Sequence, residues 1–319
     1  MNPIERVRLG RTEVHVTRLG LGLAPLGGLF TAVGAETARA TVEHAWQLGI
    51  RFFDTAPLYG NGLAERRAGQ VLAGKPRDEL TLSTKVGRLL RPGGSDVQDI
   101  WAEPTGVTPV FDFSADGVRT SYAESLDRLG LKRAEILHLH DPDEHFDQTV
   151  REALPALVEL REHGRIGAVS AGMNQSAMLT GLVRTGDLDA VLLAGRFTLL
   201  DQSGADELLP LCADRGVAVI AGGVFNSGLL ADPRPGARFD YAPADERLIE
   251  RALAIQEVCR GHGVPLRAAA IQFPLTHPAV TSVLVGARNP AEVEDAVRMA
   301  AVPIPGTLWP DLRSEGLIR

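Results

Sequence analysis

Four residues of this 319-residue chain stand where side chains of their kind do chemistry. Asp54 and Tyr59 sit at the end of the apolar run in "FFDTAPLYG" (52–60), Lys85 closes "LTLSTKV" (80–86), and His140 closes "AEILHLH" (134–140). An ammonium beside a phenol favours the phenolate and lowers the tyrosine pKa. A carboxylate keeps that lysine charged and oriented, because an unpaired buried charge is very costly. Such a tyrosine exchanges a proton with a substrate oxygen near neutral pH, and a histidine beside it orients that oxygen. The set suits interconversion of an alcohol and a carbonyl. No side chain carries a hydride, so a nicotinamide cofactor is implied.

Taken singly, each residue has a plainer reading. An Asp after a strand commonly caps a helix or forms a turn, a Tyr commonly lies at a rim with one end wet, and a Lys snorkels to solvent. His138 and His140 share one face of a strand, where either is at home as a satisfied core residue. The rival chemistry is metal binding by "HLHDPDEH" (138–145). Its spacing matches no H-E-x-x-H or EF-hand template, and Asp141-Pro142-Asp143 reads as a turn entering a helix, so no metal site is expected.

The chemical reading requires that the four groups meet, and the elements around them say how. Short apolar runs read as strands at 18–24, 50–56, 80–86, 134–140, 166–173, 189–196, 217–225 and 280–287. Between them lie segments with apolar residues at three- and four-residue spacing: "ETARATVEHAWQLG" puts Ala38, Val42, Ala45 and Trp46 on one stripe and ends in Gly49. Helices ending in Gly130 and Gly164 follow the same pattern. Near-continuous apolar strands imply burial on both faces, as in a parallel sheet. Eight such units fit a closed (β/α)8 TIM barrel better than an open doubly wound sheet, whose G-x-G-x-x-G turn does not follow the first strand. An alternating segment around Gly10–Arg11 predicts an N-terminal β-hairpin. Residues 1–319 read as a single barrel domain. Long loops follow strands three (87–113) and seven (226–244), on the face where barrel enzymes carry their sites.

Bulk properties exclude several classes. The net charge is −7, and no basic block interleaved with aromatics suggests nucleic acid. Two cysteines, Cys212 and Cys259, argue for a reducing compartment rather than a disulfide framework. The opening residues lack a signal-peptide core, and no run of eighteen apolar residues occurs, so cytoplasm is the expected location and no membrane partner is expected. A homo-oligomer remains open.

These segments resemble the aldo-keto reductases. "GIRFFDTAPLYGNGLAERRAGQVLAG" (49–74), "LTLSTKVGR" and "SYAESLDRLGLKRAEILHLHDPD" (121–143) look like that family's tyrosine, lysine and histidine segments, and "AVTSVLVGARNPAEVEDAV" (279–297) like its adenosine-binding end. The resemblance implies a catalytic tetrad of Asp54, Tyr59, Lys85 and His140. It also implies NAD(P) extended across the barrel mouth, with Gly22 and Thr55 beneath it and the amide near Asn174. The pyrophosphate would lie at Phe225, Ser227 and Gly228, and the adenosine half at Gly286, Arg288, Glu292 and Asp295. Backbone N–H groups and the Ser227 hydroxyl suit phosphate oxygens. NADPH-specific members carry basic residues where this chain aligns Gly286 and Glu292. A carboxylate repels a phosphate dianion, so NAD is the expected cofactor, with Arg288 keeping NADP open. Trp101, Phe111, Phe113 and Phe239 of the two long loops are the expected substrate contacts. "PLGGLF", "SAGMNQ" and "GGVFNSGLL" resemble the subgroup of L-fucose, L-galactose and D-threo-aldose 1-dehydrogenases, and a pyridoxal 4-dehydrogenase looks similar. The expected reaction is oxidation of a sugar such as L-fucose at C1. A general aldehyde or ketone reductase, a cofactor-sensing binding subunit with little turnover, and a cofactor-free barrel isomerase or metal hydrolase are the alternatives.

Overall fold

The computed structural model describes residues 1–93 and 99–319. Eight parallel strands close into a barrel in sequence order: β1 Leu19–Gly22, β2 Phe52–Asp54, β3 Thr81–Val86, β4 Ile136–His140, β5 Ala168–Met173, β6 Ala190–Ala194, β7 Ala218–Gly222 and β8 Val280–Gly286. All eight fall inside the segments expected from the sequence. They alternate with helices, as a right-handed parallel crossover demands.

Two shells of apolar side chains account for the barrel. The larger lies between strands and helices, where Val42 and Ala45 of helix Ala35–Gln47 meet Phe53 and Leu82. The smaller fills the barrel itself with Phe52, Ile136, Leu192, Ile220 and Leu284, capped by Leu9, Val14 and Val16. Those last three belong to the N-terminal hairpin, in which Arg6–Arg8 pairs antiparallel with His15–Thr17. The hairpin thus plugs the end of the barrel away from the strand C-termini. Gly49, Gly130 and Gly164 follow their helices with left-handed backbones, as anticipated.

The register sets the level of the future site. Gly22 pairs with both Gly286 and Asp54, Asp54 pairs with Ser83, and Lys85 pairs with His138. The ends of β8, β1, β2 and β3 therefore stand side by side at the mouth, with β4 next to them.

Two expectations need adjustment. The seventh strand stops at Gly222 rather than 225, because Gly223 turns the chain with φ +62. Phe225 accordingly precedes a short helical turn, Asn226–Gly228. The segments read as loops also carry strands of their own. Arg88–Arg91 pairs with Thr108–Phe111, and Arg238–Phe239 pairs with Ala242–Pro243. Residues 94–98 of the 87–113 loop lie outside the described residues. No helix among the described residues is long and apolar enough to cross a membrane.

Candidate active site

Lys85 and Asp54 form the floor of the mouth, each 2% exposed. The lysine Nζ donates to Asp54 Oδ1 at 2.8 Å, to Asp54 Oδ2 at 2.7 Å and to the Thr55 carbonyl at 2.9 Å. Ser83 Oγ donates a further bond to Asp54 Oδ1 at 2.6 Å. Three acceptors around one ammonium are what permit a charge at this depth.

Tyr59 stands over this pair, half-buried, with Nζ of Lys85 4.8 Å from its ring centroid. The His140 ring meets it edge-on, the centroids 5.9 Å apart and the planes at 88°. Its hydroxyl makes no hydrogen bond among the described residues, so it is available to a substrate oxygen. One sequence-based expectation is reversed here. Burial, then the carboxylate of Asp54, pushes the Tyr59 phenol well above its usual pKa. The lysine does not offset this, because its charge is already matched by Asp54. Tyr59 in the protein alone is a protonated phenol, an acid.

The three histidines of "HLHDPDEH" diverge. His138 is fully buried and turns its Nδ1 to Ser170 Oγ at 2.8 Å. His145 stacks on Phe111 and Phe113, and only His140 reaches Tyr59. Burial, then Lys85, holds His138 far below the usual imidazole pKa, while burial, Arg88 and Lys85 do the same to His140. Both rings are neutral at physiological pH. His138 Nε2 therefore makes a neutral contact with Asp54 Oδ1 at 3.5 Å rather than an ion pair.

Arg88 and Asp141 are functional-site residues that sequence reasoning missed. The Arg88 guanidinium is buried, donates to the His140 carbonyl at 3.0 Å and pairs with Asp141 Oδ2 at 3.2 Å. Asp141 Oδ2 in turn lies 3.6 Å from His140 Nε2. This brace fixes the strand end that carries the histidine. Arg88 follows the lysine strand directly in "KVGR", a signal that was legible. From sequence, Asp141 reads only as a turn former.

The loops bring some of the expected aromatics to the site and not others. Trp101 lies 6.0 Å from Tyr59, ring to ring. Its segment is pinned to the β1 loop by a bridge with Leu29 and by a bond from Phe30 N to Ile100 O at 2.8 Å. It is also clamped by the Arg67–Glu103 ion pair at 3.0 Å. Phe113 is a correction. It is 0% exposed and packs against Gly87, so it belongs to the core and not to a substrate. Phe111 stacks beside it and beneath Arg88, whose guanidinium lies 4.5 Å above its ring. Phe239 is half-buried against the main core, next to the turn of the β7-loop hairpin. Tyr59 itself is held by backbone contact. A Cβ at Gly60 would stand 2.2 Å from the Gly27 carbonyl oxygen, and one at Gly27 would stand 2.6 Å from the Tyr59 carbonyl carbon.

Along the rim, the expected dinucleotide contacts follow the strand ends. Gly22 has no atom closer than 3.9 Å to where a Cβ would be, which leaves the end of β1 open. Thr55 Oγ1 and Asn226 Oδ1 are buried and have no partner among the described residues. Asn174 follows β5 directly and is half-buried. Phe225, Ser227 and Gly228 form the turn after β7, and a side chain at Gly228 would meet nothing within 4 Å. Open glycines leave room for a phosphate-containing ligand, to which the unpaired Thr55 hydroxyl and a free Ser227 O–H can donate, while Asn226 Oδ1 can only accept. At the adenosine end, Arg288 is not free. Its backbone N–H and guanidinium both bond Glu292, the side chains at 2.7 Å. Asp295 also departs from a free ribose acceptor, since its carboxylate takes Arg267 at 2.8 Å and Arg298. Asn289 caps helix Pro290–Ala301 by accepting from Glu292 N.

Comparison with known proteins agrees with this picture. The model of the Aldo/keto reductase family matches residues 18–314. A D-threo-aldose 1-dehydrogenase of Pseudomonas sp is 45% identical over 312 residues, covering 95% of each chain. A pyridoxal 4-dehydrogenase of Microbacterium luteolum is 41% identical over 98% of each. An L-galactose dehydrogenase of Arabidopsis thaliana is 34% identical over 93% of this chain and 88% of its own. The holo form of an aldo-keto reductase from Bacillus halodurans shares the fold with a TM-score of 0.77 at 24% identity, over 99% of this chain and 96% of that one. A barrel with these ionisable groups at its mouth defines a nicotinamide-dependent oxidoreductase. The chain belongs to the aldo/keto reductase family.

Proposed function

We propose that the protein oxidises an aldose, such as L-fucose or a D-threo-aldose, at C1 to the lactone, with NAD as its preferred cofactor. The observation that carries this reading is Tyr59, its hydroxyl unpartnered between the Asp54-neutralised Lys85 and the neutral edge of His140. The dehydrogenase relatives supply the substrate class. A nicotinamide cofactor, which Thr55, Asn174, Ser227 and the β8 rim would hold, would supply the hydride acceptor for C1. Tyr59, once deprotonated, takes the proton of the anomeric hydroxyl, and Lys85, held by Asp54, supports the ring from below. His140, neutral, donates a hydrogen bond that orients the reacting oxygen. Trp101 offers the apolar ring against which the C–H face of a sugar packs.

What supports the NAD preference is Glu292, whose carboxylate pairs with Arg288, since a carboxylate in the segment expected to meet the adenosine half would repel a 2′-phosphate. A second reading, oxidation of pyridoxal, is favoured by the 41% identical relative. The test is NAD+ and NADP+ reduction over a panel of aldoses and pyridoxal. Turnover of aldoses with NAD+ is expected. Turnover of pyridoxal and none of the aldoses would replace the first reading with the second.

A further inference from the structure

Tyr241 lies outside every role assigned so far. It sits at the tip of the hairpin Arg238–Phe239/Ala242–Pro243, which the β7 loop sends to the mouth. The two turn residues, Asp240 and Tyr241, have left-handed backbones with φ of +49 and +67. That is the conformation a two-residue hairpin turn requires, and Asn and Gly usually supply it. A tyrosine there is strained, and contacts must hold it. Tyr241 N donates to Ser227 Oγ at 3.0 Å, Asp240 pairs with Arg196 at 2.6 Å, and the Tyr241 ring meets Phe30 at 6.1 Å. Phe30 belongs to the β1 loop, whose next contact is the Trp101 segment, and Trp101 touches Tyr59. Phe30, Trp101 and Tyr241 thus form a collar of contacts from three loops that runs from the hairpin to the Tyr59 phenol. Tyr241 is 48% exposed, which leaves it open to a ligand.

Ser227 links this collar to the rim where the pyrophosphate is expected. Its hydroxyl oxygen accepts the Tyr241 amide, and its own O–H has no acceptor among the described residues. A hydroxyl can do both at once, accepting from an amide while donating to a phosphate oxygen. We propose that Tyr241 is a substrate-positioning residue, held at the rim of the mouth by the β7-loop hairpin, and that the Ser227 hydroxyl ties its placement to the dinucleotide phosphate. The Tyr241 hydroxyl would bond a hydroxyl of the substrate away from the reacting carbon, which suits a polyhydroxylated molecule. The inference rests on the nicotinamide-dependent reading of the site.

Two measurements on the full chain test it. In the first, backbone hydrogen exchange in the peptide covering 238–243 is followed with and without saturating NADH, in the wild type and in Ser227→Ala, with binding followed separately by fluorescence. Binding is expected to slow exchange at the hairpin about tenfold in the wild type and hardly at all in Ser227→Ala. In the second, Tyr241→Phe is assayed with the aldose of highest kcat/KM, or with pyridoxal if that is the substrate. KM is expected to rise about tenfold, as for one lost hydrogen bond, with kcat within twofold and the NADH Kd unchanged. NADH binding with unchanged exchange, equal protection in Ser227→Ala, or an unaltered KM in Tyr241→Phe would each overturn the inference and leave the cofactor reading intact. Failure of both NADH and NADPH to bind would overturn the cofactor reading and the inference with it.

Discussion

Removal of the lysine from the floor of the site has a calculable cost. Lys85→Met keeps the length and apolar stem of the side chain and deletes the ammonium. Asp54 loses two bonds, at 2.8 and 2.7 Å, and the Thr55 carbonyl loses one. The carboxylate is left with the Ser83 hydroxyl and a neutral imidazole at 3.5 Å. Breaking a buried pair by removing one partner costs about 3–5 kcal/mol, most of it from the uncompensated charge that remains. Asp54→Asn in the same chain removes that charge while its amide oxygen still accepts from Ser83. The double variant Asp54→Asn/Lys85→Met should therefore lie within about 1–2 kcal/mol of the wild type, less destabilised than Lys85→Met alone. Urea unfolding of the four proteins, followed by circular dichroism at one pH with reversibility checked, gives the cycle directly. If Lys85→Met were as stable as the wild type, or the double variant the least stable of the four, the lysine would not be the partner that lets Asp54 remain charged.

Tyr59→Phe should lower kcat by about 10²–10⁴ while leaving the NADH Kd unchanged, and steady-state kinetics beside a fluorescence titration would separate the two effects. Because burial and Asp54 hold the Tyr59 phenol in its acid form, oxidation, which needs the phenolate, should accelerate as pH rises from 7 to 10 while carbonyl reduction, which uses the phenol, should hold steady, and an oxidation rate that is flat over that range would contradict this. Glu292→Gln frees Arg288, so NADPH should bind about tenfold tighter with NADH little changed. His138 and His140 have folded pKa values depressed well below 6.5, so the stability they contribute is present above that value and is lost as pH falls beneath it. Each unfolded-state proton gives a slope of about 1.4 kcal/mol per pH unit, and His138→Gln should remove one of the two, which unfolding curves at pH 5, 6 and 7 would record.

Strand positions were readable because an apolar strand buried on both faces has few ways to look otherwise. The four ionisable residues at the strand ends were readable because a polar group closing such a run must have somewhere to go. Side-chain direction in the long loops was not. Phe111, Phe113 and Trp101 are alike as residue types, yet Gly87 opens a space that Phe113 fills, while Leu29 and Arg67–Glu103 turn Trp101 toward Tyr59. The direction of the Tyr59 pKa depended on a balance that spacing cannot give, since an ammonium already matched by a carboxylate has little left for a phenol. Arg88–Asp141 and Ser227–Tyr241 are pairs from separate segments, and neither member announces the other. Asp295 lies on helix Pro290–Ala301, but Arg267, which engages it, lies on another.

The contact between Gly27 and Gly60 makes the place of the Tyr59 ring a joint property of two loops. Neither glycine carries a group that could meet a substrate, yet a single methyl at either would drive one backbone off the other and displace the phenol sideways. Displacements of about 1 Å are enough to cost a hundredfold in rate. Variation in the β1 loop would therefore surface as slow turnover in a protein that still binds its ligands well, and anyone reshaping this mouth for a new substrate must leave alone the two positions that look most dispensable.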